Sequence, residues 1–344
     1  MSYKISSTER LKKSGSDAET KAMLYLMNFR EDSSEIYFFI IDFFNDITGM
    51  DRMSRKLWDI QSKANIANSP KVIGRELVTL FKNYNSNFNF VEYILFIGGV
   101  PETFRKDSSL NLFNIENIND KAIKSLKKGL LEESKNKEYI NNSDIYDSNI
   151  DNFLKRVWFV VNDKSPEEYI KQILSKYSSI VPEDSQLLAI FNEIRNKQSE
   201  KKNTLVEGII INDIDEALCY GRHLTNHEIK LLVLQRIINS DPLSKDIPKY
   251  FLNICSKYPP ESIDNLIESC QMSLTRALFN KSTAQGFWML FDTIYRSILE
   301  YPNKDINFIF RQIPDNVIDA CPDFDTLSLK YFIAKIKGGI CLWL

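Results

Sequence analysis

Residues 36–63 read IYFFIIDFFNDITGMDRMSRKLWDIQSK, and the predicted fold is built around this stretch. Two runs rich in Ile, Phe and Trp, a composition typical of buried strands, flank a polar turn at residues 49–55. Gln61 and Lys63 lie two positions apart on the second run, so their side chains leave the same face of a strand. If the runs pair as a hairpin, Asp46 at the end of the first strand comes close to both side chains. The stretch therefore predicts one pocket that holds a carboxylate, an amide and an ammonium.

These three side chains suit a divalent cation and a phosphate. Carboxylate and amide oxygens are ligands that Mg²⁺ accepts, and a lysine can neutralise charge on a phosphoryl oxygen or orient a water molecule on a metal. A structural interpretation competes with this one. Asp46 precedes Thr48 and Gly49 as turn residues do, and Gln61 and Lys63 would then line a solvated strand face.

Other acids before and within the strands are further candidates. Ser16 and Glu19 have the spacing of a capping box, which predicts a helix that begins after Ser16. Glu19 has two interpretations, since it could reach the pocket as a metal ligand or could simply close the capping box. Asp42 and Asp59 are reserve acids, and Asp42 takes the place of Asp46 if the hairpin register is shifted.

The elements around the pocket form a compact order. Helical spacing predicts a second helix through residues 70–84, and a further apolar run predicts a strand at residues 90–98. The run at residues 35–48 is counted as one or two strands. The predicted order is therefore α-β-β-β-α-β.

The chain is long enough for two domains. Its 344 residues are 43% hydrophobic and 26% charged, the composition of an ordinary globular protein. An asparagine-rich stretch at residues 141–149 predicts a linker between an N-terminal domain at 1–140 and a C-terminal domain at 150–344. Capping boxes at Ser165, Thr225 and Ser282 predict that the second domain is mainly helical.

Charge does not favour whole-molecule binding to nucleic acid. The net charge is −2, so any contact with DNA must rest on a local patch. Residues 1–140 contain 21 Lys and Arg against 19 Asp and Glu, a mild excess of positive charge. If the pocket is real, some basic residues near it are candidates for phosphate contacts, namely Lys71, Arg75, Lys82, Arg105 and Lys106.

Several classes of function lose their usual sequence signals. The five cysteines lack CxxC spacing, so buried thiols of a reducing compartment are predicted rather than a zinc site or disulfides. Thr225 resembles an N-cap between His223 and His227, which argues against a metal site there. Phosphate-loop, dinucleotide-binding and nucleophile-elbow motifs are absent. No leader segment or long apolar run is present, so a cytoplasmic protein without a membrane span is predicted.

Residues 15–99 resemble the PD-(D/E)xK nuclease superfamily, and residues 43–64, FFNDITGMDRMSRKLWDIQSKA, carry the most specific part of the resemblance. Within the superfamily they look like the double-stranded DNA endonuclease domain of bacterial anti-phage systems, found in CBASS-associated effectors and in the nuclease subunit of Lamassu defence. The resemblance implies a restriction-endonuclease-like core followed by a helical domain. The mostly helical C-terminal region differs from the mixed α/β sensor of CBASS effectors, which makes the resemblance to the Lamassu subunit closer.

The resemblance also implies a catalytic set. In that family the acid, the Glu or Gln and the lysine bind Mg²⁺, or Mn²⁺ in its place, and activate water for phosphodiester hydrolysis. By position these residues are Asp46, Gln61 and Lys63, with Glu19 as a helix-borne acid and the main-chain carbonyl of Ser62 as a further ligand. Gln61 departs from the family pattern of Asp or Glu, which lowers the negative charge of the site.

The function implied is a Mg²⁺-dependent DNA endonuclease effector of anti-phage defence. Its implied substrate is double-stranded DNA. Its implied protein partners are an SMC-like ATPase subunit and a small accessory subunit, and these two subunits hold the nuclease inactive until foreign DNA is sensed. A homo-oligomer is expected when the enzyme is active, because cutting both strands needs two sites or rebinding. Two rival interpretations are a non-catalytic scaffold subunit and a sensor that binds DNA or a nucleotide without cutting.

Overall fold

The computed structural model describes residues 3–5, 13–67, 69–175, 182–239, 241–244, 246–280 and 282–340. Its strands are β1 Tyr3–Lys4, β2 Ile36–Ile41, β3 Ile47–Asp51, β4 Leu57–Ile66, β5 Phe90–Gly99, β6 Leu112–Phe113, β7 Val157–Val161, β8 Ile210–Ile211 and β9 His223–Thr225. Its helices are α1 Lys13–Asn28, α2 Pro70–Glu76, α3 Val78–Tyr84, α4 Asp120–Asn136, α5 Asp147–Leu154, α6 Pro166–Ser175, α7 Asp184–Glu200, α8 Asn226–Ile238, α9 Leu252–Cys255, α10 Ile263–Phe279, α11 Ala284–Glu300, α12 Ile306–Arg311, α13 Asp315–Asp319 and α14 Thr326–Ile340.

A seven-stranded mixed sheet organises the first half of the chain, with strand order β6-β7-β5-β4-β3-β2-β9. Strands β2, β3 and β4 are antiparallel neighbours, whereas β5 lies parallel to β4 and β7 lies parallel to β5. The succession α1, β2, β3, β4, α2 with α3, and β5 follows the predicted order. The chain is therefore an α/β protein with a mixed sheet and a helical C-terminal region.

The long apolar run at residues 35–48 forms two strands rather than one. Strand β2 ends at Ile41 and pairs there with Ile47 of β3, so a five-residue loop separates them. The polar turn is shorter than predicted, because β3 continues through Gly49 to Asp51. Asp46 consequently lies just before β3, and not at the end of a strand that pairs directly with β4.

The centre of the sheet is apolar on both faces. Ile94, Leu95 and Phe96 of β5 are consecutive and fully buried, the pattern expected of a parallel strand covered on both sides. On one face lie α2 and α3, which replace the single helix predicted for residues 70–84. The Ser69 hydroxyl accepts a hydrogen bond from the Val72 amide and caps α2, as the sequence predicted a helix start here.

The chain divides into two compact units, the first formed by residues 1–169 and 191–226 and the second by 170–190 and 227–344. This division differs from the predicted boundary at 141–149. Strand β7, which follows the predicted linker, pairs with β5 inside the sheet, and β9 pairs with β2. The predicted linker itself holds a 3₁₀ turn and the start of α5, and its Asn149 amide donates to the Asn85 side chain at 2.8 Å.

The second unit is helical, as the capping boxes predicted. Helix α14 lies at its centre and packs against α10, α11 and α12. Cys255, Cys270 and Cys321 are buried, Cys219 is exposed, and Cys341 lies outside the described residues. Within the described part of the chain, no helix has the length and apolarity needed to cross a membrane.

Candidate active site

The loop between β2 and β3 places two carboxylates at one end of the sheet. The Asp42 amide donates to the Asp46 carbonyl at 3.0 Å, which closes the loop. Asp42 has a φ of 49°, a left-handed conformation that Asp tolerates better than most residues. The Asn45 side chain accepts from the Asp46 amide at 3.0 Å and fixes the last residue of the loop. The turn chemistry of the structural interpretation is thus present, and it serves to orient both acids.

One oxygen of Asp46 receives three hydrogen bonds from β4. Its Oδ2 accepts from Gln61 Nε2 at 2.8 Å, from the Ser62 amide at 2.7 Å and from the Ser62 hydroxyl at 3.1 Å. Gln61 and Ser62 are both buried. The predicted approach of Asp46 to Gln61 is therefore present in the structure. Ser62 reaches Asp46 through its amide and hydroxyl, whereas the resemblance implied a role for its carbonyl.

Lys63 extends from the same face of β4 as Gln61 and meets a further acid. Its ammonium lies 3.3 Å from Glu76 Oε2 at the end of α2. Burial raises the pKa of Asp46, and the positive charge of Lys63 is the largest effect that opposes this rise. Glu76 was not singled out in the sequence, since nothing in a helix-terminal Glu distinguishes it from a solvated one.

Glu19 does not close a capping box. Helix α1 begins at Lys13, so Ser16 lies inside the helix and accepts the Thr20 hydroxyl at its carbonyl. Glu19 Oε2 instead lies 2.7 Å from the Lys202 ammonium and 3.3 Å from Gln198 Nε2. The capping interpretation of Glu19 is therefore wrong.

The electrostatics join Glu19 to the two loop acids. Burial raises the pKa of Glu19 to about 7, Lys202 opposes the rise, and the charges of Asp46 and Asp42 add to it. Burial likewise raises the pKa of Asp42, against the opposing charges of Lys202 and Arg222. We call Glu19, Asp42 and Asp46 the acid group.

The two reserve acids have different surroundings. Asp42 belongs to the acid group, and its Oδ2 accepts from the Arg222 guanidinium at 3.1 Å. Asp59 is fully buried and accepts from Asn83 Nδ2 at 2.7 Å. Burial raises the pKa of Asp59 to about 7. Asp59 packs inside the sheet and contributes no wall to the cleft described next.

A cleft of about 380 Å³ opens beside Asp46, Gln61 and Lys63. Of the basic residues proposed for its rim, Arg75 and Lys82 line it. Lys71 lies 2.7 Å from Glu132, and Arg105 and Lys106 donate to the main-chain carbonyls of Leu110 and Glu116. Lys137, which the sequence did not single out, is a further cation on the cleft wall. The cleft lining thus combines the cations Lys63, Arg75, Lys82 and Lys137 with the carboxylates Asp42, Asp46, Glu76 and Glu133.

The donors at this cleft match a hard cation in type. Carboxylates and a side-chain amide are oxygen ligands of Mg²⁺, and the Lys202 ammonium at Glu19 shows that these acids attract a cation. Within the part of the chain that the structure describes, however, no three His, Cys, Asp or Glu side chains are grouped so as to hold a metal ion. As placed, these side chains therefore match a divalent cation in chemical type and do not form a ligand set around one.

His223 and His227 lie in different secondary-structure elements. His223 lies in β9 with its ring against Phe38, and His227 lies in α8 with its ring stacked on Phe279.

Sequence reasoning missed Gln198, Lys202 and Arg222. They lie 179 to 183 positions after the acids that they contact, in a region predicted to belong to another domain. Their residue types are those of a solvated surface, so only the fold brings them to Glu19 and Asp42. In comparisons with known proteins, no family model, no curated protein and no solved structure matches this chain.

Proposed function

We propose that this chain is a Mg²⁺-dependent DNA endonuclease of restriction-endonuclease-like architecture. The observation that carries the proposal is the approach of Asp46 and Gln61 at 2.8 Å, beside Lys63 in a cleft that Arg75, Lys82 and Lys137 also line. The surrounding order of helix, three antiparallel strands, helix and parallel strand supports it, because the resemblance implied the same order.

The residues of the cleft can divide the work of phosphodiester hydrolysis. Water attacks phosphorus while a P–O ester bond breaks, and negative charge grows on the phosphoryl and leaving oxygens. The Lys63 ammonium can neutralise part of that charge. Arg75, Lys82 and Lys137 can bind neighbouring phosphates of the DNA backbone, without reading its sequence.

A divalent cation, held by Asp46, Glu19, Gln61 and the Ser62 carbonyl, would supply Lewis acid chemistry at the same place. Gln61 presents its amide nitrogen to Asp46, so its oxygen is the atom for such a ligand role. The proposal extends to a role in anti-phage defence in the cytoplasm, with an SMC-like ATPase and a small accessory subunit as partners and an active homo-oligomer.

The first prediction concerns Lys63. Wild-type protein is expected to cut supercoiled plasmid with Mg²⁺ or Mn²⁺ and not with EDTA, whereas Lys63→Ala should lose activity by at least about a hundredfold. Lys71→Ala is the matched control, because it removes a lysine that lies outside the cleft lining. Equal cutting by wild type and Lys63→Ala would disprove the assignment of the site.

A scaffold role is the second candidate, and one observation favours it. Each carboxylate of the acid group already has a protein partner, as buried structural polar clusters do. In that case no cleavage occurs under any metal or partner condition, and Lys63→Ala changes neither DNA binding nor assembly. A sensor that only binds DNA would show binding that EDTA leaves intact.

A further inference from the structure

Lys202 is a buried cation at the acid group. It lies on the 3₁₀ turn Lys201–Asn203, directly after α7. Its side chain is 8% exposed, and its ammonium lies 2.7 Å from a Glu19 carboxylate that is 13% exposed. Surface lysines seldom stay in one such contact, because their long side chains gain entropy by moving into water. The burial of this lysine therefore requires contacts that hold its side chain and its turn in place.

The turn that carries Lys202 is fixed by Arg222. The guanidinium donates to the Lys202 carbonyl at 3.0 Å and to the Thr204 carbonyl at 2.6 Å. It also donates to the Asp42 carbonyl and carboxylate. One buried guanidinium thus joins the turn to the loop that holds the acids.

Gln198 fixes the other side of the same contact. Its amide nitrogen donates to Glu19 Oε2 at 3.3 Å, and its amide oxygen accepts from the Thr20 hydroxyl at 2.7 Å. Gln198 is almost fully buried. Residues 198–204 therefore close over Glu19 from two directions, so the position of the Lys202 ammonium is built into the fold.

Lys202 is joined to two members of the acid group. Its ammonium contacts the Glu19 carboxylate, and its carbonyl is linked through the Arg222 guanidinium to the Asp42 carboxylate. A divalent cation bound by Glu19 and Asp46 would need the same negative charge and would be repelled by an ammonium at hydrogen-bond distance from Glu19. The Lys202 ammonium and a divalent cation would therefore compete for the Glu19 carboxylate.

We propose that Lys202 is a built-in competing cation that keeps the acid group closed to divalent metal ions until residues 198–204 withdraw. The proposal rests on the proposed function for the identity of the site, and it assigns that site a means of regulation. A partner subunit or DNA that moves residues 198–204 would raise the affinity of the site for metal. An isolated chain would bind metal weakly.

The test is a titration of the full chain with Mn²⁺, in which electron paramagnetic resonance reports the free ion. Lys202→Met should bind Mn²⁺ at least about tenfold more tightly than wild type, because it removes the competing charge. Lys202→Gln is a second variant, which keeps a donor for Glu19 without the charge and should behave alike. Lys202→Arg, which keeps the charge, and Lys201→Met, which removes the neighbouring charge, should both bind as wild type does.

Mn²⁺ affinity that is unchanged or weaker in both Lys202→Met and Lys202→Gln would overturn the proposal. An equal gain in Lys201→Met would overturn it too, because the effect would then be one of net charge. Tighter binding without plasmid cleavage would uphold the role of Lys202 and contradict the endonuclease. Plasmid cleavage by wild type, with no gain in Mn²⁺ affinity in either Lys202 variant, would support the endonuclease and contradict the role of Lys202.

Discussion

Gln61 and Lys82 line the cleft, and the position of each polar end is set by its contacts with neighbouring residues. Gln61 stands where the PD-(D/E)xK pattern has Asp or Glu, and here it donates to Asp46. A carboxylate at position 61 could not donate, and it would face a second carboxylate across the same distance. Lys82 lines the cleft with its ammonium over the Tyr3 ring at 4.2 Å, and it donates to the Lys4 carbonyl at 3.0 Å. Both residues combine a polar end with a largely buried position.

Burial of Lys82 gives a prediction about pH. Burial lowers the pKa of Lys82 from 10.5 to about 8, against the attraction of Asp59. Between these values the unfolded chain binds more protons than the folded chain, so the free energy of unfolding rises with pH. Lys82→Met removes this dependence. Between about pH 7 and about pH 10, the free energy of unfolding of wild type should therefore rise by roughly 1–3 kcal/mol relative to that of the variant.

Urea unfolding of both proteins at the two pH values measures this difference. Lys71→Met is the control, since Lys71 sits at the surface beside Glu132 and the variant should differ from wild type equally at both pH values. A wild-type advantage that shrinks as pH rises would contradict the assigned direction of the shift.

At the scale of elements, the cleft depends on close contact between α2 and α4. A Cβ atom at Gly74 of α2 would lie 2.0 Å from the Leu126 carbonyl oxygen, and one at Gly129 of α4 would lie 2.0 Å from the Lys71 carbonyl oxygen. Each helix thus uses a glycine to admit the backbone of the other. Arg75 and Glu76 of α2 line the cleft, so the crossing sets the position of one cleft wall.

Gly74→Ala should therefore destabilise the protein, although alanine favours helices. The new methyl group meets a main-chain oxygen that cannot move alone, and overpacking of this kind costs about 1–3 kcal/mol. In α14, Gly338→Ala adds the same methyl group where nothing lies within 4 Å, and it should stabilise by up to about 1 kcal/mol. Urea unfolding compares the two variants. A Gly74→Ala protein as stable as wild type would show that the helices do not cross this closely.

At the scale of the whole molecule, the first compact unit is discontinuous in sequence. Its sheet needs β7 and β9, which follow the predicted end of the N-terminal domain at residue 140. Val157 and Phe159 of β7 are fully buried against β5. Residues 191–226 return to the same unit and bring Lys202 and Arg222 to the acid group. This one return of the chain both completes the sheet and covers Glu19, so the regulation proposed for Lys202 depends on the fold of the whole unit.

A chain of residues 1–140 is consequently expected not to fold. Loss of β7 exposes one edge of β5 together with the apolar residues that β7 covers. A chain of residues 1–226 carries every strand of the seven-stranded sheet and should unfold cooperatively on heating. Circular dichroism during thermal unfolding distinguishes the two. Cooperative unfolding of residues 1–140 would instead support the boundary predicted at residues 141–149.

The sequence by itself determined the order of the elements and part of the candidate site. Strand and helix periodicities are local, so the order α-β-β-β-α-β could be read without the structure. Asp46, Gln61 and Lys63 lie within one hairpin-length stretch, and period-2 alternation places Gln61 and Lys63 on one face. The same locality explains why the helical second unit was predicted.

The surroundings of these residues could not be predicted, because they come from segments that are distant in sequence. The role of Glu19 changed because α1 begins at Lys13 and because Lys202, distant in sequence, lies against its carboxylate. The boundary between the units differs from the predicted one because β7 and β9 pair within the sheet. Strand pairing between distant segments leaves no local pattern in the sequence. The charge at the acid group likewise depends on Lys202 and Arg222. Both are distant in sequence from the acids, so the order of the sequence does not reveal their effect.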